Sequence, residues 1–396
     1  MPRRLIILGS TGSIGVNTLE VVRHLNEHAQ ADIEVVGLAA GSNVDLLAEQ
    51  AQAFDVPRVA IADAERADAL QSRFGAHRVL GGPDAALRLV QDSDATDICA
   101  AIVGSAGLAA TLEAVRRGMT VSLANKEVLV AAGPITAGML EAHGATLIPV
   151  DSEHSAIFQC LHGRMNHVGV KRLVLTASGG PFRTVDAAVM RDATVEEALN
   201  HPTWSMGPKI TVDSATMMNK ALEIVEAHWL FDLPGDRIDV IVHPQSIVHS
   251  FVEFDDHSIL AQLGPPDMKT PIQVALTYPD RVAGSGQALD WSTIRKLDFE
   301  PPDPDKFPGL KLAYEVIEAG GTAGAVFNGA NEAAVAAFLE RRIRFGRIIP
   351  LVAEALDTID TRPAQCLDDI LDADRRARSV VRESIETGPP TAVAGR

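Results

Sequence analysis

Two acidic residues separated by one position are the first feature of the sequence that suggests chemistry. Asp151 and Glu153 follow the apolar run Leu147–Val150, which is typical of a buried strand. If the segment stays extended, both carboxylates point to the same side, because side chains two positions apart share a face. Hard oxygen ligands of this kind suit Mg²⁺ or Mn²⁺. The alternative is that the acids stabilise the start of a helix predicted over Ser155–Leu161.

A second group of polar side chains lies in Val212–Phe231, a stretch of helical period with Ser214 at its expected N-terminus. On a helical wheel, Asn219, Lys220 and Glu223 share a polar arc opposite an apolar one. Because a helix N-terminus attracts anions, Ser214, Asn219 and Lys220 are candidate phosphate ligands. Glu223, one turn later, is a candidate cation ligand. The alternative is a solvated helix face with a Lys–Glu pair at i,i+3.

A glycine-rich turn near the N-terminus predicts nucleotide binding. Gly9–Gly15 has the spacing G-x-x-G-x-x-G and connects the strand Leu5–Leu8 to an amphipathic helix over Val16–Leu25. Strand, glycine turn and helix form the context in which backbone N–H groups bind a pyrophosphate. The alternative is that the glycines serve only a tight turn between strand and helix.

The end of the second strand favours NADP over NAD. This strand, Glu34–Ala40, is followed by Gly41, Ser42 and Asn43, with no acidic residue. An NAD site usually has an acid there to bind the ribose 2′-hydroxyl, and that acid would repel a 2′-phosphate. No Arg or Lys occupies the strand end, so the preference rests on the missing acid.

Further alternation up to residue 150 predicts a doubly wound parallel sheet. The predicted strands are Arg58–Ile61, Ile98–Val103, Thr120–Leu123 and Thr146–Pro149, and the predicted helices are Ala64–Arg73, Leu108–Arg117 and Glu127–Glu141. Ligands bind outside the carboxyl ends of strands in such sheets. Two polar triplets follow strand ends: Asn125–Glu127 after Val121–Ala124, and Asp151–Glu153. Lys126, flanked by Asn and Glu, is therefore a candidate substrate contact.

The second half of the chain combines strands with loops that carry chemical groups. Ser178 lies in the small-residue loop after the strand Arg172–Thr176. The loop His201–Gly207, bounded by Pro and Gly, carries His201 and Trp204 and has the composition of a lid.

The fold class predicted is α/β, with a Rossmann-like doubly wound sheet followed by a central α/β domain and C-terminal helices. The predicted boundaries are 1–150 for the NADPH-binding domain, 151–285 for the catalytic domain, 286–309 for a connector, 310–387 for a C-terminal helical domain and 388–396 for a tail.

Composition limits the partners and the compartment. The 396 residues carry a formal net charge of −17, which disfavours nucleic acid and anionic membranes. The three cysteines are scattered and odd in number, so we expect a reducing compartment, the cytoplasm. We expect no signal or transit peptide ahead of the first strand. We also expect no membrane span, because no apolar run reaches about 18 residues without a charge.

Other classes of protein fit the sequence less well. A short-chain dehydrogenase needs Tyr-x-x-x-Lys, but Tyr278 and Tyr314 are followed four residues later by Val282 and Glu318. An aspartate-semialdehyde dehydrogenase needs a nucleophilic cysteine, and Cys160 lies in an apolar helical stretch. A nucleotide-sensing module is the non-enzymatic alternative, and it would have no use for three carboxylates near a phosphate-binding helix start.

Across nearly its whole length the chain resembles the 1-deoxy-D-xylulose-5-phosphate reductoisomerase family. The stretches that carry the resemblance are Gly9–Gly15, Ala124–Glu127, Val150–His154, Ser178–Pro181, His201–Gly207, Val212–Glu223 and His243–Ser250. Ser42 departs from the family's pattern, because some members have lysine there.

The resemblance implies a role for each matching residue. NADPH would contact Thr11, Gly12, Ser13, Ile14, Gly41, Asn43, Asn125, Glu127 and Gly207. The metal ligands would be Asp151, Glu153 and Glu223, and the phosphate ligands Ser178, Ser214, Asn219 and Lys220. The polar chain of the substrate would contact Lys126, Ser152, Glu153 and His201, and Trp204 would cover it.

The resemblance also implies the reaction, the cofactors and the assembly. Deoxyxylulose phosphate would rearrange its carbon skeleton to a branched aldehyde, which NADPH would reduce to 2-C-methyl-D-erythritol 4-phosphate. Mg²⁺ or Mn²⁺ would act as a Lewis acid on developing oxyanion charge. The catalytic residues would be Lys126, Asp151, Glu153, His201 and Glu223. The chain would be a homodimer.

Overall fold

The computed structural model of the chain describes residues 2–163 and 168–387. They form two compact units. The first contains the chain up to Val128, Thr136–Phe158 and Asp267–Ala288; the second contains Leu129–Ile135, Gln159–Pro266 and the chain from Leu289 onward. The predicted tail, 388–396, lies outside the described residues. The other predicted domain boundaries stay predictions.

Strands and helices alternate along the first 160 residues. They are β1 (Arg3–Leu8), α1 (Ser13–Glu27), β2 (Ile33–Ala40), α2 (Val44–Ala53), β3 (Arg58–Ile61), α3 (Ala64–Phe74), β4 (Val79–Gly81), α4 (Ala85–Gln91), β5 (Asp97–Ala100), α5 (Leu108–Arg116), β6 (Thr120–Leu123), α6 (Glu127–His143), β7 (Thr146–Pro149) and α7 (Ser152–Cys160). Within α6, Ala132 leaves the helical conformation two residues before Pro134, and proline cannot donate a helical hydrogen bond.

The first unit is built on a seven-stranded parallel sheet in the order β4-β3-β2-β1-β5-β6-β7. Leu5, Ile6, Ile7 and Leu8 of the central strand β1 are fully buried, as expected for a strand covered on both faces. The order reverses between β1 and β5, which makes the carboxyl end of β1 the switch point where ligands bind in such sheets. The predicted doubly wound sheet is confirmed.

The prediction missed the short or weakly apolar elements α2, β4 and α4. It also extended the fifth strand to Val103, whereas β5 ends at Ala100. Directly after the strand, the backbone of Ala101 lies against Gly9: a Cβ on Gly9 would come within 2.5 Å of the Ala101 carbonyl oxygen. Val103 is 67% exposed.

The remaining elements begin with a mixed α/β region. They are β8 (Val170–Ala177), α8 (Ala187–Met190), α9 (Val195–Leu199), α10 (Pro208–Ala215), α11 (Met218–Phe231), β9 (Ile238–Val242), β10 (Val248–Phe254), β11 (Ile259–Leu263), α12 (Lys269–Thr277), α13 (Gly309–Ala319), α14 (Ala323–Leu339), α15 (Ile348–Thr358) and α16 (Leu367–Thr387). The four-stranded sheet of the second unit has the order β11-β10-β8-β9, with β8 and β9 parallel and the other pairs antiparallel.

The single helix predicted over Val212–Phe231 is wrong: the structure has two helices. The first, α10, begins at Pro208 behind the N-cap Gly207, a position that proline favours. It ends before Met217, which adopts a left-handed conformation (φ 60°) and serves as the N-cap of α11. The Thr216 hydroxyl bonds to the carbonyl oxygen of Val212 at 3.1 Å and accepts the N–H of Met218 at 3.3 Å.

The C-terminal helices pack within the second unit. Helix α14 contacts α15 and α16 and also touches α10, while α13 lies against α11. Gly324 of α14 lies directly against the backbone of Val130. A larger residue would not fit there, because a Cβ on Gly324 would come within 1.9 Å of the carbonyl oxygen of Val130.

None of the helices in residues 2–163 and 168–387 combines the length and apolar character needed to cross a membrane.

Candidate active site

The glycine turn between β1 and α1 offers backbone groups rather than side chains to a ligand. Gly9 has a left-handed φ of 89°, and a Cβ on Gly15 would lie 2.3 Å from the carbonyl oxygen of Gly9. The N-cap, Gly12, has no side chain to cap α1. The first N–H groups of α1 therefore lack a side-chain acceptor, as a pyrophosphate site requires. Thr11, Ser13 and Ile14 lie in the same accessible turn.

The loop after β2 is accessible and carries no acid, in line with the sequence. Gly41 has open space around it, since a Cβ there would meet no atom within 4 Å. Asn43 has a structural role, because its side chain caps α2 by accepting the N–H of Leu46 at 3.2 Å. Its backbone remains on the loop that the sequence assigns to the cofactor.

Asn125 follows β6 and carries an unused acceptor. Its side-chain nitrogen donates to the carbonyl of Gly104 at 3.1 Å, while Oδ1 is buried without a partner among the described residues. A buried acceptor without a donor is costly unless a ligand supplies one. Glu127, also predicted to contact the cofactor, is buried at the start of α6.

Asp151 and Glu153 lie at the start of α7, so the predicted extended segment is wrong. The carbonyl of Asp151 accepts the N–H of Ser155 at 2.8 Å as the chain turns into a helix directly after β7. Glu153 is in the first helical turn, where Ser152 Oγ donates to its Oε2 at 2.6 Å. The acids therefore occupy the positions that the capping alternative expected.

Lys126 holds Asp151 in its ionised form. The Lys126 ammonium pairs with Oδ2 of Asp151, and the two side chains are 7% and 11% exposed. Burial by itself raises the pKa of Asp151, but the charges of Lys126 and His154, together with hydrogen bonds to Lys126 and Glu153, outweigh it and hold the pKa well below its usual range. The result is a desolvated carboxylate, the form that a metal ligand requires.

In the second unit, Ser178 and His201 form a hydrogen-bonded pair. Ser178 Oγ lies 3.0 Å from His201 Nε2 and accepts the N–H of Gly180 at 3.2 Å. The other ring nitrogen, Nδ1, accepts the N–H groups of Thr203 at 3.1 Å and Trp204 at 2.9 Å. In neutral His201 the proton is therefore on Nε2 and is donated to Ser178. Burial lowers the pKa of His201, which favours this neutral form.

The Ser178 hydroxyl keeps its own proton for a ligand. Its oxygen already accepts from His201 and from Gly180, so its O–H remains as a donor. The same loop lies against α10: a Cβ on Gly180 would come within 2.5 Å of the carbonyl oxygen of Ser214. Ser214 is thus in the last turn of α10 beside the Ser178 loop, not at a helix N-terminus as predicted.

The first turns of α11 bring Asn219, Lys220 and Glu223 together. Asn219 Nδ2 donates to Glu223 Oε1 at 2.5 Å, and the Lys220 ammonium pairs with the other oxygen. Lys220 is 4% exposed and Glu223 1%, so the alternative of a solvated helix face is wrong. A buried ion pair of this kind is a weak source of stability, which favours a functional reason for keeping it.

The sequence reasoning did not single out His249 as a site residue. It lies on β10 with its ring centroid 6.4 Å from that of Trp204. Burial, with a smaller contribution from the Lys220 charge, lowers its pKa to about 4. The available signal was its place in His243–Ser250, one of the stretches that carry the family resemblance.

These features define a class of protein. A parallel sheet whose strand order reverses at a glycine turn is typical of dinucleotide-dependent enzymes. The buried Lys220, the Ser178 hydroxyl and the start of α11 supply donors suited to an anionic substrate. The chain is therefore a dinucleotide-dependent α/β enzyme.

Comparison with known proteins gives the family. Three family models match: 1-deoxy-D-xylulose 5-phosphate reductoisomerase over residues 5–133, its C-terminal domain over 147–231, and the DXP reductoisomerase C-terminal domain over 263–380. The chain belongs to the 1-deoxy-D-xylulose 5-phosphate reductoisomerase family. The predicted family and enzyme class are confirmed.

Individual relatives agree over nearly their full lengths. The chain is 50% identical to the reductoisomerase of Chloroherpeton thalassium, with 97% of this chain and 98% of the relative covered. A solved structure of the Zymomonas mobilis enzyme with NADPH matches at 44% identity and a TM-score of 0.89, covering 98% and 100%. A DOX-P reductoisomerase structure with NADPH, fosmidomycin and magnesium matches at 40% identity and a TM-score of 0.91, covering 97% and 98%. NADPH and magnesium, both predicted from the sequence, are bound in these relatives.

Proposed function

We propose that this chain converts 1-deoxy-D-xylulose 5-phosphate to 2-C-methyl-D-erythritol 4-phosphate with NADPH and a divalent metal. The observation that carries the proposal is the group formed by half-buried Asn219 with buried Lys220 and Glu223 in the first turns of α11. It offers amide and ammonium donors for an anion and a carboxylate for a cation. Family membership supports the same reaction.

NADPH, which supplies the hydride, fits the first unit. Gly12 at the uncapped start of α1 and the close packing of Gly15 against Gly9 leave room and N–H groups for a pyrophosphate. The unused acceptor of Asn125 suits a ligand amide. The residues assigned to the cofactor are Thr11, Gly12, Ser13, Ile14, Gly41, Asn43, Asn125, Glu127 and Gly207.

Asp151, Glu153 and Glu223 are the proposed metal ligands. Asp151 is ionised and desolvated beside Lys126, and Ser152 orients the Glu153 carboxylate. Glu223 is buried with its two oxygens directed at Asn219 and Lys220. Mg²⁺ or Mn²⁺ suits carboxylate oxygens and supplies Lewis acidity when bound.

Ser178, Ser214, Asn219 and Lys220 are the proposed phosphate ligands. The Ser178 hydroxyl has its proton available, and neutral His201 holds its oxygen in place. Lys220 supplies a charge-assisted donor at the start of α11, where the helix dipole also favours an anion. The phosphate does not react, so its binding energy orients the reacting carbons.

The remaining residues contact the polar chain of the substrate. Lys126 places an ammonium beside the Asp151 carboxylate, where it stabilises developing oxyanion charge and orients the metal ligand. Ser152, Glu153 and His201 are assigned to the substrate hydroxyls. Trp204, whose backbone N–H donates to His201 Nδ1, covers the site and keeps water from the aldehyde.

A direct spectrophotometric assay of NADPH oxidation tests the proposed function. NADPH absorbance is expected to fall only when 1-deoxy-D-xylulose 5-phosphate and Mg²⁺ or Mn²⁺ are both present. Omitting the sugar phosphate and adding a chelator are the two controls, and the product is checked by mass. Oxidation of NADPH without the sugar phosphate, or no oxidation with it, would contradict the proposal.

We further propose that the chain is a homodimer in the cytoplasm. Strand β11 is an edge of the four-stranded sheet, and its Ile259 and Leu260 are 58% and 43% exposed. An apolar edge strand of this kind invites pairing with a second copy. The cysteines are free, which suits a reducing compartment. Light scattering that gives the mass of one chain, 42.1 kDa, at micromolar concentration would reject the dimer.

A further inference from the structure

A preference for NADPH requires a positively charged side chain near the 2′-phosphate, and the loop after β2 carries none. Between residues 34 and 66 the sequence has two basic residues, Arg58 and Arg66. Arg58 begins β3, at the amino end of a parallel strand, which is the wrong edge of the sheet for a cofactor. Arg66 lies in the first turn of α3, after the carboxyl end of β3.

The structure fixes Arg66 across the loop that follows β2. The strands β2 and β3 run in register to their ends, with Ala40 opposite Ile61. Asp63 N donates to the carbonyl of Gly41 at 3.0 Å, so the two strand ends continue side by side. From α3, Arg66 Nη1 then donates to the carbonyl of Ser42 at 2.8 Å.

A second contact orients the guanidinium. Arg66 Nε pairs with Asp63 Oδ2 at 3.0 Å, while the other oxygen of Asp63 caps α3 through the N–H of Glu65. A guanidinium has five N–H donors in a rigid fork, so these two contacts leave donors for a third partner. The Arg66 side chain is 57% exposed, and Gly41 leaves open space beside the loop.

We propose that Arg66 binds the 2′-phosphate of NADPH and sets the preference for NADPH over NADH. This inference rests on the proposed function. The loop itself carries Ser42 and no basic residue, and Arg66 reaches the same loop from the neighbouring helix. The positive charge is thus supplied from helix α3 and is held in place by the Ser42 carbonyl.

Fluorescence titration of the two cofactors into full-length variants tests the proposal. In Arg66→Gln, the dissociation constant for NADPH is expected to rise about 10- to 100-fold, as for loss of a charge-assisted contact. The constant for NADH is expected to stay within about twofold, because NADH lacks the phosphate. The matched control is Arg73→Gln, which removes an exposed arginine of α3 that pairs with Asp45 and should leave both constants unchanged.

A compensating variant separates charge from loop shape. Adding Ser42→Lys to Arg66→Gln places an ammonium on the loop itself and is expected to recover most of the NADPH affinity without changing that for NADH. The proposal is overturned if Arg66→Gln binds NADPH within twofold of wild type, if it loses both cofactors equally, or if the added lysine recovers nothing. Failure of the proposed function looks different: wild type itself would then not oxidise NADPH in the presence of the sugar phosphate and metal.

Discussion

The starts of α1 and α11 are both candidate anion-binding sites, but they are built from different chemical groups. Both helices begin without a side-chain cap, so their first N–H groups lack a side-chain acceptor. At α1 the N-cap is Gly12 in an extended conformation, and at α11 it is Met217 in a left-handed one. The first site is built from backbone in an accessible turn, and the second from half-buried Asn219 with buried Lys220 and Glu223.

This difference explains why we expect the two sites to respond differently to substitution. In the α1 turn, function depends on side chains being absent, so adding one carbon is disruptive. At α11, function depends on charged side chains that face each other in a desolvated setting. Removing one of them leaves the other without its main partner, which is costly in itself.

The largest expected effect is from Lys220→Ala. Removing the ammonium that faces buried Glu223 is expected to lower the free energy of unfolding by about 3–5 kcal/mol. It is also expected to weaken sugar phosphate binding by about 10- to 100-fold, while NADPH affinity stays unchanged. Urea unfolding and initial-rate kinetics measure the two effects. An unchanged KM would remove Lys220 from the phosphate site.

Gly15→Ala is expected to have the converse profile. Its Cβ would lie within 2.4 Å of both Gly9 O and Ser10 Cα, so the turn must shift. We expect a loss of about 1–3 kcal/mol in stability, as for overpacking, and NADPH binding weakened by tenfold or more. Gly138→Ala is the control, because a Cβ there meets nothing within 4 Å. Wild-type NADPH affinity in Gly15→Ala would contradict the backbone site.

A smaller effect on stability is expected when the pH is lowered and His249 becomes protonated. Its folded pKa of about 4 is below the usual histidine value of 6.5, so folding favours the neutral ring. The stability contribution is present above pH 6.5 and is lost as pH falls toward 4, by about 2 kcal/mol at pH 5. Comparing urea midpoints at pH 7 and pH 5 in wild type and His249→Asn isolates this term. Equal pH dependence in both proteins would show that His249 is not responsible.

Local patterns in the sequence predicted the α1 region well. The strand, the glycine turn and the helix follow one another within 25 residues, and each step is dictated by its own residues. The bounds predicted for β6 and β7 agree with the structure, because short apolar runs between turns leave little choice of register.

The α11 region could be predicted only in part. The helical period continues through Thr216 and Met217, so it does not reveal the break between α10 and α11. A left-handed methionine has no sequence signature, unlike a left-handed glycine. Gly207 followed by Pro208 was the signal for the earlier helix start. The burial of Lys220 and Glu223 depends on packing from distant parts of the second unit.

Isothermal titration with Mn²⁺ tests the central claim, that Glu223 joins Asp151 and Glu153 as a metal ligand. Wild type is expected to bind one ion per chain. Glu223→Gln keeps size and hydrogen bonding but removes the charge, so affinity is expected to fall by more than about 100-fold, beyond the loss of a residue that only orients a ligand. The control Glu253→Gln, in which the glutamate pairs with Lys171 and Arg172, should bind like wild type. If Glu223→Gln binds Mn²⁺ like wild type, Glu223 is only the partner of Lys220, and the proposed metal site is wrong at that position.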